Sequence, residues 1–143
     1  MLLLTAIAAM GAAAADDAKL ADIATIQPVI STIQMRPDWE EIEVKTALPR
    51  DYSLTLWYRE NATVMQGQPE GDTKLVARAI LKGLVGAGHS PADESLGLYI
   101  SAMRRVRGET GKTLVRWYGY TSYDYNRDAL RYTACDGKGW FGC

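Results

Sequence analysis

A single amphipathic helical segment, set among residues that alternate in polarity, constrains this fold more than any other feature. Within GQPEGDTKLVARAILKGLVGAGHSP, apolar residues recur every three or four positions, which predicts a helix with Asp72 or Thr73 as its N-cap. The apolar stripe comprises Leu75, Val76, Ala79, Ile80 and Leu84. Gly86 and Gly88 supply its end, and Pro91 prevents it from resuming. One apolar stripe requires a second layer on which to pack.

The residues on both sides of this helix alternate with a period of two, which predicts strands. The five runs lie at 42–45, 52–59, 95–103, 112–125 and 129–134. Short turns join the first two runs and the last two, so each pair is expected to form a hairpin. The predicted fold class is α+β: a five-stranded antiparallel sheet in the chain order ββαβββ, with the helix packed on one face. A short N-terminal helical segment around Leu20 and Ile23 is expected to end or kink at Pro28.

The first fifteen residues resemble a secretory signal. MLLLTAIAAMGAAAA is uncharged and apolar, and Ala13-Ala14-Ala15 before Asp16 fits the rule for signal peptidase. We therefore expect residues 1–15 to be a signal peptide, residues 16–143 to form one domain, and the protein to be periplasmic or secreted. The stretch lacks Lys and Arg, so the alternative is a retained helix, buried or attached to a membrane. It is shorter than the ~20 residues needed to span a bilayer, and no later stretch is long enough either.

The two cysteines, Cys135 and Cys143, enclose a glycine-rich aromatic loop at the C-terminus. In an oxidising compartment they are expected to form a disulfide that closes this loop. The alternative, a zinc site, needs three or four ligands, and the sequence has a single histidine, His89. The sequence predicts no metal site and no cofactor.

The sequence favours a non-catalytic role. His89 is the only histidine available as a base, and no G-x-S-x-G motif surrounds any serine. We therefore predict no catalytic residue. Paired carboxylates that meet only on folding are the remaining catalytic possibility, and the acidic clusters are Glu40/Glu41/Glu43, Asp93/Glu94 and Asp124/Asp128. Each also has a structural use, as a solvated strand face, a cap or a turn.

Two features of the last third of the chain favour a binding function: a run of basic residues and a high content of aromatic residues. Neighbouring strand residues point to opposite faces, so either Trp117 or Tyr118 must lie on the side of the sheet away from the helix. Arginine, tyrosine and tryptophan are the residues that protein interfaces favour. The predicted partner-binding residues are Arg104, Arg105, Arg107, Trp117, Tyr118, Tyr120, Trp140 and Phe141. The alternatives are a solvated basic loop and, for Trp140 and Phe141, a cap on the core.

The stretches GLVGAGHSP, GETGKTLVRWYG and YDYNRDALRY together resemble small exported bacterial domains. The expected function is that of an exported accessory domain that binds a protein partner in the bacterial cell envelope, as an inhibitor, immunity component or adaptor. Basic and acidic residues nearly cancel, 16 against 17, so nucleic acid is not an expected partner. The alternatives are an envelope hydrolase with converging carboxylates and a structural subunit of a larger envelope assembly.

Overall fold

The computed structural model describes residues 23–48 and 50–135. Within these ranges two helices, α1 (Ile23–Ser31) and α2 (Gln68–Gly86), accompany five strands. The strands are β1 (Trp39–Leu48), β2 (Asp51–Tyr58), β3 (Gly97–Arg107), β4 (Thr113–Asp124) and β5 (Ala129–Ala134). The predicted signal peptide at 1–15 lies outside the described residues. Within the described ranges, no helix is long and apolar enough to cross a membrane.

The five strands form one sheet in the order β1-β2-β3-β4-β5, and the α+β class is confirmed. The expectation of a purely antiparallel sheet is wrong, because β2 and β3 are parallel, with Tyr52 beside Leu98 and Leu56 beside Ala102. The other three pairs of neighbours are antiparallel. The helix α2 carries the chain back to the starting end of β2 before β3 begins, so β3 runs in the same direction as β2.

The core lies between α2 and one face of the sheet. Alternation along β2 turns Tyr52, Leu54, Leu56 and Tyr58 toward the helix, and all four are fully buried. The facing residues of α2 are Val76, Ala77, Ile80 and Leu84. The predicted helical stripe is thus rotated slightly, because Leu75 and Ala79 are only partly buried.

The helix α2 begins earlier than the sequence predicts. Its N-cap is Gly67, whose φ of 82° lies in the left-handed region that glycine adopts without strain. Pro69 occupies one of the first two helical positions, where its missing N–H costs nothing. Asp72 and Thr73 are therefore not N-caps. They lie more than one turn inside the helix and are buried.

The helix α1 includes Pro28 and continues to Ser31, so of the two predicted effects of Pro28, an end of the helix or a kink, the first does not occur. Packing explains the continuation: Ile26 is fully buried, and Val29 packs against the core. Val29 meets α2 at Gly83, where the methyl carbons of the valine approach to 2.5 Å from the position that a Cβ would occupy. The glycine thus permits close contact between the two helices.

Candidate partner-binding surface

The face of the sheet opposite α2 is not covered by any element of the described residues, and we call it the open face. Strand alternation and pairing place on it, from β1, Glu41 and Glu43; from β2, Ser53, Thr55 and Trp57; from β3, Tyr99, Ser101, Met103 and Arg105; and from β4, Val115, Trp117 and Tyr120. Glutamates therefore lie on the β1 side, Trp57 lies on β2, and Arg105 and the other aromatic residues of this face lie on β3 and β4.

Three aromatic residues form a cluster on the open face. The ring centroids of Tyr99 and Tyr120 lie 6.4 Å apart, and those of Trp117 and Tyr120 lie 6.3 Å apart. Tyr99 is 45% exposed. The Trp117 indole N–H donates to the Gly119 carbonyl at 3.1 Å, which fixes the ring beside Tyr120. Tilted ring pairs at these separations are attractive beyond their buried area.

An irregularity in the β3–β4 pairing determines which aromatic residue lies on each face. Trp117 is paired with Met103 and Gly119 with Ala102, so Tyr118 is the extra residue of the bulge. Gly119 has a φ of 152°, and the Tyr132 hydroxyl and the Thr133 carbonyl occupy the place of a Cβ. Only glycine fits such a position.

Trp57 lies on the open face and is nevertheless only 4% exposed. The Arg105 guanidinium carbon is 4.0 Å from its ring centroid, in cation–π contact. The indole N–H donates to a Glu43 carboxylate oxygen at 2.8 Å, and Arg105 also pairs with Glu40 at 3.2 Å. Hydrogen bonds from Lys45 and then from Trp57 lower the pKa of Glu43. The Arg105 side chain thus extends from β3 over the Trp57 ring of β2 to Glu40 of β1.

The structure divides the predicted binding residues between the two faces. Arg105, Trp117 and Tyr120 lie together on the open face. Arg104 and Tyr118 lie on the helix side, where the Arg104 Nε donates to the Tyr118 hydroxyl at 2.9 Å. Tyr118 also packs edge-on against Tyr58, with centroids 5.8 Å apart.

The remaining predicted binding residues lie at the margin of the structure or beyond it. Arg107, at the end of β3, has a 75% exposed side chain and a long contact of 3.9 Å to Glu60. Trp140, Phe141 and Cys143 lie outside the described residues, and Cys135 directly follows β5. The predicted disulfide therefore stays a prediction.

A buried carboxylate that sequence reasoning missed joins the helix to the sheet. Asp72 is 2% exposed, and its oxygens accept hydrogen bonds from the Tyr58 hydroxyl at 2.9 Å and the Trp39 indole at 3.1 Å. The Arg36 guanidinium at 3.2 Å and the Gln68 amide at 3.3 Å complete the set. Burial, followed by the hydrogen bond to Asp72, raises the pKa of Tyr58. No local pattern indicates this cluster, because its members come from three separate segments: residues 36–39, β2 and α2.

The acidic clusters offer little support for catalysis. Asp93 and Asp128 line a pocket of about 340 Å³, but both are exposed. The Tyr123 hydroxyl donates to Asp128 at 2.5 Å, and burial, with this hydrogen bond, raises the pKa of Tyr123 to about 12. The His89 ring lies 3.4 Å from a Glu94 carboxylate oxygen, and its backbone N–H donates to the Leu84 carbonyl. Residues 23–48 and 50–135 contain no group of three or more His, Cys, Asp or Glu that could hold a metal ion.

Comparisons with models of known protein families, with curated proteins and with solved structures found no match for this chain.

Proposed function

We propose that this chain is an exported, non-catalytic domain that binds a protein partner in the bacterial cell envelope, as an inhibitor, immunity component or adaptor. The observation that carries the proposal is the cluster of Tyr99, Trp117 and Tyr120 on the open face. Large aromatic residues near the centre of an interface contribute most of the binding energy. Such residues are also enriched at interfaces relative to the rest of a protein surface.

The fixed arrangement of Arg105 and Trp57 supports the same function. Arg105 contacts the Trp57 ring at 4.0 Å and the Glu40 carboxylate at 3.2 Å, while its side chain remains 38% exposed. A side chain that is already ordered loses less conformational entropy when a partner binds. The open face therefore presents a cationic and aromatic surface with acidic residues at its β1 side.

The experiment that tests the proposal is affinity capture from an envelope extract of the source organism, followed by mass spectrometry. The double variant Trp117→Ala/Tyr120→Ala should lose the partner that the wild-type protein captures. Tyr125→Ala is the matched control, because Tyr125 is 40% exposed and lies outside the cluster, in the β4–β5 turn. Retention of the partner by the double variant, with its melting temperature unchanged, would refute the proposal.

Export and the disulfide can be tested together by the intact mass of the protein recovered from its native compartment. We expect a chain that begins at Asp16 and gains about two hydrogens on reduction. The disulfide between Cys135 and Cys143 would stabilise the fold by roughly 2–3 kcal/mol in the chain-entropy model. Recovery of the chain in a reducing compartment, with both thiols free, would contradict export.

One observation favours a second function, that of an envelope hydrolase. Asp93 and Asp128 line the same pocket, and glycan hydrolysis requires two carboxyl groups within about 5–10 Å. The proposal of a binding domain remains preferred, because both carboxylates are exposed and one oxygen of Asp128 already accepts from Tyr123. Turnover of a glycan or peptide that Asp128→Asn abolishes would establish the hydrolase instead.

A further inference from the structure

The hairpin of β3 and β4 extends beyond the strands on either side of it. The last residue of β3 to pair with β2 is Arg104, which lies beside Tyr58. On the other side, β5 pairs with β4 only from Gly119 onward, and Cys135 adds one hydrogen bond to the Tyr118 carbonyl. We call residues 105–117 the hairpin arm. Within the described residues, its two strands pair only with each other.

The outer edge of the hairpin arm belongs to β4. The Gly108 N–H donates to the Lys112 carbonyl at 2.8 Å, so the backbone of Lys112 faces β3. In an antiparallel pair the direction of the backbone groups alternates from one residue to the next. The N–H and C=O groups of Thr113 and Val115 therefore face away from β3. An edge with free backbone groups is a template for a further strand.

Along this edge, the side chains on the two faces of β4 differ in chemistry. Lys112, Leu114 and Arg116 share one face, and Thr113, Val115 and Trp117 share the other, by the same alternation. Leu114 and Val115 are 56% and 54% exposed. Arg116 lies over the Tyr118 ring at 4.9 Å. Neither Lys112 nor Arg116 forms an ion pair with any carboxylate in the part of the chain that the structure describes.

From this arrangement we propose that the edge of β4 at 113–117 binds an extended, acidic segment of a protein partner as an additional strand. The inference rests on the proposed function in that the partner is a protein. Acidic side chains of the segment lie beside Lys112 and Arg116, and apolar side chains lie beside Val115 and Trp117. Backbone hydrogen bonds supply affinity in this mode of recognition, and the alternate side chains supply specificity.

The charges at this edge favour an acidic partner segment over two other occupants, a second copy of the chain and the chain's own residues 136–143. A second copy that pairs antiparallel at the same edge brings Lys112 and Arg116 close to the same residues of its partner, and like charges on adjacent strands repel. The chain's own residues 136–143, DGKGWFGC, contain one acidic residue, one lysine and three glycines. Glycine is depleted in strands, and this segment carries no net negative charge from its side chains. The acidic partner is therefore the occupant that fits.

The test measures the fluorescence anisotropy of a labelled peptide of alternating glutamate and valine, titrated with the full-length protein. We expect this peptide to bind at least about tenfold more tightly than the same peptide with lysine in place of glutamate. Arg116→Glu should weaken binding by at least about tenfold. Arg127→Glu makes the same change of charge on an 83% exposed side chain in the β4–β5 turn, and it should leave binding nearly unchanged.

Hydrogen exchange provides a second measurement that does not depend on a variant. The backbone amides of Thr113 and Val115 should exchange rapidly in the free protein and become protected when the peptide binds.

Val115→Pro removes an N–H that faces away from β3, so it should abolish peptide binding while the β3–β4 hydrogen bonds remain. Equal binding of the glutamate and lysine peptides, or unchanged binding by Arg116→Glu, would overturn the inference.

The other occupants give distinct results that also overturn it. If the free protein sediments as a monomer and the amides of Thr113 and Val115 are protected from exchange, the chain's own residues cover the edge. The same protection in a protein that sediments as a dimer would identify a second copy. If the glutamate peptide fails to bind while the envelope partner is still captured through Trp117 and Tyr120, the inference fails and the proposed function stands.

Discussion

The strongest prediction concerns the buried carboxylate of Asp72. This residue accepts hydrogen bonds from the Tyr58 hydroxyl and the Trp39 indole, and both of those donors are at most 1% exposed. Asp72→Ala removes the acceptor and leaves two donors that water does not reach. Arg36 loses its partner too, but its side chain is 54% exposed and can be solvated instead. The cost therefore arises mainly from the two buried donors.

The magnitude follows from the cost of an unsatisfied buried polar group, about 1–3 kcal/mol each. Two such donors give an expected loss of about 2–6 kcal/mol in the free energy of unfolding. A domain of this size has a total stability of about 5–15 kcal/mol, so the variant is expected to be severely destabilised. Asp72→Asn keeps one oxygen for Tyr58 and Trp39 and should lose less, about 1–3 kcal/mol.

The assay is equilibrium unfolding in urea, followed by tryptophan fluorescence. Asp38→Ala is the matched control, because Asp38 is exposed and its side chain accepts one hydrogen bond, from Gln68 at 3.1 Å. Its loss should cost no more than about 0.5 kcal/mol. If Asp72→Ala unfolds within about 1 kcal/mol of the wild type, the reasoning on the buried donors is refuted.

Two further predictions test the packing of the helices and the environment of a buried tyrosine. Gly83→Leu should displace α1 from α2, because the new side chain clashes with Val29, and should lower the free energy of unfolding by about 1–3 kcal/mol. Gly86→Ala should be nearly neutral, because a Cβ at Gly86 meets no atom within 4 Å. Equal urea midpoints for the two variants would contradict this prediction. Because the pKa of Tyr123 is raised to about 12, its contribution to stability is present below about pH 10 and is lost as the pH rises toward 12. In Tyr123→Phe the free energy of unfolding should therefore fall less between about pH 10 and pH 12 than it does in the wild-type protein. An equal fall in both proteins would show that burial and Asp128 do not raise the pKa of Tyr123.

Much of the fold follows from local patterns. Period-two alternation located the strands, and the helical period located α2, because each pattern depends only on which face of an element is buried. The direction of a strand relative to its neighbour does not depend on which face is buried, so these patterns do not predict it. The parallel pairing of Tyr52 with Leu98 depends on how α2 crosses the sheet, and alternation reads the same in either direction.

The site was predictable only in part, for a similar reason. The rule that neighbours on a strand point to opposite faces correctly required Trp117 and Tyr118 to separate. The bulge opposite Ala102 decided which residue lies on the open face. The isolated Gly119 is the local signal of this bulge, but it does not say which neighbour faces which side. Asp72 resembled an N-cap because it precedes the apolar stripe. Its actual role depends on donors such as Trp39 and Tyr58, which are distant in the sequence.

The measurement that tests the central claim most directly is calorimetric titration of the purified partner with the wild-type protein and with single variants of the open face. Tyr120→Ala should weaken binding by at least about tenfold, since truncation of a central aromatic residue typically costs more than about 1–2 kcal/mol. Tyr125→Ala should bind as the wild type does. Equal affinity of Tyr120→Ala and the wild-type protein, with both folded, would show that the partner binds elsewhere and that the open face is not the binding surface.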